Sequence, residues 1–272
     1  MPTFHSWQPA LFAISFGVLA ACGDASSDLN DQEPRIDPLM LDFAARPSYL
    51  PDHFIALTFD DVPDWNHTAR VLDVLNEKNV TATFFINTSN WSNVPTEAPM
   101  QELIRRMARE GHELGNHTAR HPHLGALSAA DIEHEIATVE RLTAQILGPA
   151  APPLNLVRAP YGEPYRDHVP GFPTPEFEKV ASVVARHGVH IGWAIDAFDY
   201  TCPDAACVTN NVMQRVDAGA YGIVLMHGVY AATVDALPSL IDTLRDRGFV
   251  LGTVEDAVEA RYGASSRELV GR

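Results

Sequence analysis

From about residue 50 onward, short apolar runs alternate with longer segments whose apolar residues recur every three or four positions. The runs at 53–59, 80–86, 112–117, 154–160, 189–195, 222–227 and 249–254 read as strands. The segments at 69–79, 100–111, 129–148, 175–188 and 237–248 read as amphipathic helices. Several of them stop at Gly or Asn before the next run, where a left-handed residue closes a helix. Apolar strands joined by crossover helices predict an α/β chain with a parallel sheet buried on both faces. An open doubly wound sheet and a closed barrel both satisfy that pattern. No linker interrupts the alternation, and there is no internal repeat.

Ionisable residues collect where the apolar runs end. Asp60 with Asp61, His117, Arg158, Asp196 with Asp199, and His227 each follow such a run. In parallel α/β folds the C-terminal edge of the sheet is where sites form. The stretch "LTFDDVP" poses the sharpest question, because neighbouring strand residues point to opposite faces. Two adjacent carboxylates repel each other and are expensive to bury. A shared cation or proton would explain them; a helix N-cap made by Asp61 is the alternative.

Composition adds two constraints. With 46% hydrophobic and 20% charged residues, the chain is that of an ordinary globular protein. Its formal net charge of −16 and lack of a Lys/Arg-rich run argue against nucleic acid or an anionic membrane surface as partner and suit a neutral substrate.

Residues 10–22, "ALFAISFGVLAAC", form an apolar run too short to span a bilayer comfortably and ending in small residues, although no Lys or Arg precedes it. Residues 1–21 therefore read as a signal segment. "LAAC" resembles the bacterial lipobox, which makes Cys22 the expected lipid-bearing N-terminus; a plain secretory signal with a chance Cys is the alternative. Residues 22–49 read as a flexible tether, on the polar, Pro-containing composition of 23–38. One domain over 50–260 and a tail over 261–272 complete the expected division. The protein would then be exported to a periplasmic face or the cell surface, reaching the membrane only through its lipid, and would act as a monomer. Cys202 and Cys207 remain, five apart, and fit either a small disulfide loop or two free thiols.

"HTARH" places His117 and His121 four apart, which on a helical turn brings both rings to one side, close enough to hold one metal. Alone this is weak evidence, since 12 His in 272 residues give about 0.5 such pair by chance. Two His with one carboxylate, however, form the ligand set of hydrolytic zinc sites. One Asp of the pair could complete it while its neighbour stays free as a base, the cation offsetting their repulsion and acidifying the water it holds.

In order, "TFDD", "HTARH", "RAPYG", "DAFDY" and "LMH" resemble the motifs of the polysaccharide deacetylases, carbohydrate esterase family 4 with its NodB-homology domain, over about residues 50–260. The resemblance implies a distorted (β/α) barrel of about seven parallel strands and metal-dependent removal of acetyl groups from N- or O-acetylated sugars. It implies Asp60 as catalytic base and Asp61, His117 and His121 as ligands of one divalent metal, Zn²⁺ foremost, with Co²⁺ or Ni²⁺ able to fill the site. Arg158 would orient the base and keep it ionised. The backbone N–H of Tyr161 would meet the oxyanion. His227 would be the general acid, with Asp199 raising its pKa. Leu225 and Tyr200 would wall the acetyl pocket, and Trp91 is a candidate sugar contact alongside Tyr161.

Other positions stay open. Asp196 fits a supporting or a structural role. His123 is not expected to be a ligand, because Pro122 redirects the chain. Trp65, Trp91 and Trp193 suit a core as well as a sugar platform. Val62 stands where the family usually has Gly, and Tyr200 where Trp is more usual. The long connection at 87–99 bears on substrate choice. Two other function classes fit less well: a catalytically idle glycan-binding lipoprotein, and an amide hydrolase for a small non-glycan amide.

Overall fold

The computed structural model describes residues 39–41, 43–164 and 174–271. Cys22, the signal segment and most of the expected tether lie outside these residues. Nine strands are described: β1 (Met40–Leu41), β2 (Phe54–Val62), β3 (Thr83–Ile86), β4 (Glu113–Asn116), β5 (Leu156–Val157), β6 (Val189–Ile191), β7 (Ile195–Asp196), β8 (Gly222–His227) and β9 (Val250–Gly252). The helices are α1 (Thr68–Lys78), α2 (Ala98–Arg109), α3 (Ala129–Leu147), α4 (Pro175–His187), α5 (Ala205–Asp217), α6 (Ala231–Asp246), α7 (Val254–Tyr262) and α8 (Ser266–Val270). Among the described residues no helix is long and apolar enough to cross a membrane.

The strands pair in parallel in the order β1-β6-β5-β4-β3-β2-β8-β7, with β9 also on β2. This order forces curvature. In a flat sheet β6 and β7 would stand six strand spacings apart, roughly 29 Å at ~4.8 Å each. Only three residues separate Ile191 from Ile195, a reach of about 14 Å at most. The sheet must therefore curl, and the run 189–195, expected as one strand, breaks into two, β7 at one end of the sheet and β6 next to β1 at the other.

Alternation along β2 divides the core. Ile55, Leu57 and Phe59 pack outward with Val71, Leu72 and Leu75 of α1 and Leu237 and Ile241 of α6. Ala56 packs inward with Phe85, Leu156, Ile191 and Leu225. Thr58 and Asp60 share that inward parity, and the Arg158 guanidinium bonds to both of them.

Three differences from the sequence pattern have plain causes. The ordered fold starts before residue 50, because Met40 and Leu41 pair with His190 and Ile191. It continues past 260, because α8 delivers Leu269 and Val270 to the inner cluster. Helix α5 is not among the expected helices, since paired Asn and a β-branched Thr weaken its propensity. It forms by packing Val208, Val212, Met213 and Val216, and Asp204 caps its start by accepting from Cys207 N. Cys202 and Cys207 form a disulfide across that start.

Candidate active site

At the C-terminal end of β2 the strand alternation would turn Asp61 away from Asp60. The register of β2 with β3 shifts between Phe59 and Val62, and Asp61 takes a left-handed φ of 69°. The bulge and the positive φ bring both carboxylates to the same rim. Asp61 is not a helix cap. The N-cap of α1 is His67, and the turn leading into it is held by Asp64, whose carboxylate accepts from the backbone N–H of Asn66, His67 and Thr68.

His117 and His121 do not share a helical turn as expected. They lie on a loop after β4 in which Thr118 (φ 67°) and His121 (φ 59°) are both left-handed. Two local bonds shape the loop, Thr118 N donating to Asn116 Oδ1 and His121 N to Thr118 Oγ1, and Arg120 N ties it to Glu135 Oε2 on α3. The fully buried Glu135 also pairs with the Arg120 guanidinium.

Ligand atoms of Asp61, His117 and His121 lie within 4.8 Å of one another. Asp61 Oδ1 stands 3.9 Å from His117 Nε2 and 3.7 Å from His121 Nε2. The donor set suits a divalent metal. His117 Nδ1 is 2.6 Å from the Arg158 carbonyl, which can only accept, so that nitrogen carries a proton and Nε2 is the nitrogen turned toward Asp61. Burial and the neighbouring His117 pull the His121 pKa down to about 4, leaving a neutral imidazole.

Asp60 is held differently. Arg158 Nη1 donates to Asp60 Oδ1 at 2.7 Å and to Thr58 Oγ1 at 2.8 Å; its Nε and Nη2 donate to the carbonyls of Ile191 and Gly192. The guanidinium is fully buried and lies 4.1 Å over the Phe85 ring. Burial acts against the Asp60 charge, but the Arg158 guanidinium, His117 and His227 prevail and hold its carboxyl below the usual carboxylate range. The rim thus carries one carboxylate bound by arginine and one facing the imidazoles.

His227 ends β8, in register with Asp60. Its Nδ1 lies 2.8 Å from Asp199 Oδ1 and its backbone N donates to Asp199 Oδ2. Thr233 Oγ1 and Tyr200 N donate to the same carboxylate. Burial pulls the His227 pKa down, but the Asp199 hydrogen bond and charge, with Asp60 and Asp61, push it up to about 9. Asp196 accepts from Phe198 N, shaping the turn that leads to Asp199.

Asp60, Asp61, His117, His121, Asp196 and His227 line one cavity of about 320 Å³, together with Ala159, Tyr161, Gly162, Trp193, Tyr200, Leu225 and Tyr230, while Arg158 and Asp199 support it from behind. Tyr161 has φ 61° and sets its ring edge-on to His121 (4.7 Å) and flat on His123 (3.8 Å). Leu225 is buried, whereas Tyr200 is half exposed with its ring edge-on to His227. Trp193 is buried beside Phe43, which makes it core as well as lining. Trp65 is exposed and bonds to Glu97, away from the cavity lining. Trp91 donates its indole N–H to Asp61 Oδ2 at 3.2 Å.

A family model described as polysaccharide deacetylase matches residues 48–170. A chitooligosaccharide deacetylase from Bradyrhizobium is 34% identical over 210 residues, covering 72% of this chain and 86% of the relative. The chain belongs to the polysaccharide deacetylase family. A peptidoglycan-N-acetylglucosamine deacetylase from Bacillus cereus is 31% identical over 198 residues, or 71% of this chain and 64% of the relative's length. The solved chitin deacetylase of Colletotrichum lindemuthianum superposes with a TM-score of 0.64 at 30% identity, covering 80% of this chain and 92% of that one.

Within this deacetylase-family fold, one departure from the family's motifs, Val62, meets the backbone beside His227. A Cβ at Gly228 would sit 2.4 Å from Val62 Cγ1, so the valine in the first motif is accommodated by the glycine after His227. Tyr230 is a cavity residue that sequence reasoning missed; it stands three residues after His227, with its ring 5.8 Å from that imidazole and 6.0 Å from Trp91. Asn87 and Asn90 were missed as well, because a polar loop carries no periodicity to read.

Proposed function

We propose that the protein is a metal-dependent carbohydrate deacetylase that hydrolyses acetyl groups from an N-acetylglucosamine-containing glycan or an acetylated xylan. The observation that carries this reading is the division of labour between adjacent carboxylates: Asp60 is bound by Arg158, and Asp61 faces two imidazoles. A divalent cation held by Asp61, His117 and His121, Zn²⁺ best suited to that donor set, would polarise the acetyl carbonyl and acidify water.

Asp60 then accepts the proton of the attacking water, since Arg158 keeps its carboxylate ionised and fixed in direction. The main-chain N–H of Tyr161 is the proposed hydrogen-bond donor to the oxyanion. His227, protonated at neutral pH through Asp199, delivers a proton to the departing amine or alcohol. Leu225 and Tyr200 wall the acetyl methyl group, and the aromatic rim gives sugar rings a surface to lie against. Export, a lipid anchor at Cys22 and a monomeric state belong to the same proposal, supported by the short apolar leader and "LAAC".

The deciding experiment measures acetate released from chitooligosaccharides, peptidoglycan and acetylxylan, with Zn²⁺ or Co²⁺ and with chelator. Release from at least one substrate, abolished by chelator, is expected. No release from any of them with metal present would favour the glycan-binding class instead.

A further inference from the structure

The connection between β3 and α2 reaches both of the loops that carry the candidate metal ligands. Asn87 is buried, and its backbone N donates to the Val62 carbonyl beside Asp61. Its side-chain amide donates to the carbonyls of His117 (2.6 Å) and Thr118 (2.8 Å). Thr88 N and Ser89 N both donate to the Ala119 carbonyl, inside the His117–His121 loop. Ser92 Oγ donates to the Pro63 carbonyl on the other side.

Two side chains of the same connection end on the Asp61 carboxylate. Asn90 Nδ2 donates to Oδ1 at 3.1 Å and is itself seated by Asn87 Oδ1; Trp91 Nε1 donates to Oδ2 at 3.2 Å. Oδ1 is the oxygen that faces His117 and His121. The indole therefore occupies the oxygen that would otherwise be free to rotate toward the cation, and the carboxylate presents one atom in a fixed direction.

We propose that residues 87–92 form a metal-retention clasp, with Asn87 joining the two ligand loops and Asn90 and Trp91 acting as positioning residues for Asp61. The inference rests on the metal-site reading above and deepens it. Hydrogen bonds to a metal-ligating group commonly change metal affinity 10- to 100-fold when removed. Trp91 thereby acts through Asp61 and not only as a surface for sugar.

The test measures Zn²⁺ affinity by chelator competition on the full chain, with Zn²⁺ as the only ligand. Trp91→Phe, which removes the donor and keeps an aromatic ring, is expected to weaken binding about tenfold. Trp91→His, which restores a ring N–H, should fall between the two. Deacetylation by Asn90→Ala, at a position with no assigned part in sugar contact, should return to within about threefold of the wild-type kcat at saturating Zn²⁺, which general loss of structure would not allow. Zn²⁺ should also change tryptophan emission in the wild type and in Trp65→Phe by clearly more than in Trp91→Phe, where Trp193 still lines the cavity. Asn87→Ala should weaken binding further; where it fails to fold, the half-exposed Trp91 keeps the test open. Wild-type protein that takes up neither Zn²⁺ nor Co²⁺ overturns the functional reading and the clasp with it. Wild-type protein that binds Zn²⁺, with Trp91→Phe and Asn90→Ala within twofold of it, overturns the clasp alone.

Discussion

Arg158 and Asp60 form an ion pair with a 2.7 Å contact, in which both side chains are almost wholly removed from water. The guanidinium also bonds to Thr58 and to the carbonyls of Ile191 and Gly192, so the charge that holds the Asp60 carboxylate is anchored where the curled sheet brings β6 round toward β7. Arg158→Lys loses the planar fork that makes these contacts together. The acid limb of kcat/KM should move to higher pH as the Asp60 carboxyl rises toward its ordinary value, and a pH–rate profile reads this directly. Stability follows the same sign. Asp60 has a folded pKa below its unfolded one, so its contribution is present above about 3.9 and is lost as pH falls through the folded pKa. Arg158→Ala strands a buried carboxylate and should cost about 3–5 kcal/mol in denaturant unfolding.

Asp60→Asn should lower kcat by about 10²–10⁴-fold, the range for loss of a general base. Because the reading assigns Asp61 and not Asp60 to the metal, the same variant should retain Zn²⁺, whereas His117→Ala and His121→Ala should lose it. Equilibrium dialysis with metal analysis separates the two roles.

His227→Ala should abolish acetate release. In the wild type, kcat/KM should fall on the alkaline side as His227 loses its proton near the value of about 9. Asp199→Asn removes the leading upward influence on that pKa, so the alkaline limb should move to lower pH. For stability the sign is the reverse of Asp60. The folded pKa of His227 lies above its unfolded value of about 6.5, so its contribution is complete below that value and disappears as pH rises through about 9. Thermal unfolding of wild type and Asp199→Asn from roughly pH 6 to pH 10 brackets the ordinary and the raised histidine values. The wild type should lose its advantage at the alkaline end.

Gly228→Ala places a Cβ against Val62 and should disturb the adjacent His227 and the Gly228 N to Asp60 carbonyl bond. Its activity loss should be at least partly reversed by Val62→Gly, because the clash is between those two side chains. A double-mutant cycle on kcat/KM measures the coupling.

The Cys202–Cys207 disulfide closes a short loop just after Asp199. Replacing both residues by Ser should cost about 2 kcal/mol by loop-closure entropy, read as a melting point several degrees lower. The effect on kcat should be small, because Asp199 keeps its bonds from His227 N and Thr233.

The alternation of strands with helices, apart from α5, α7 and α8, and the collection of Asp60, His117, Arg158, Asp199 and His227 at strand ends, were legible in the sequence. Periodicity and the C-terminal edge of a parallel sheet are local properties of a chain. The divided run at 189–195 was not, because a break in a strand depends on which neighbour each half finds across the curled sheet. The direction of Asp61 was not either: strand alternation would turn it away from Asp60, and only the register shift against β3 and its left-handed φ bring it to the rim. Nor did the spacing of His117 and His121 reveal a loop in place of a helical turn, since bonds to Glu135 on α3 and from Asn87 after β3 hold that loop's shape. Residue types and order named the chemistry. Pairing and bonds between distant segments decided which oxygen faces which nitrogen, because those contacts exist only once the sheet has curled.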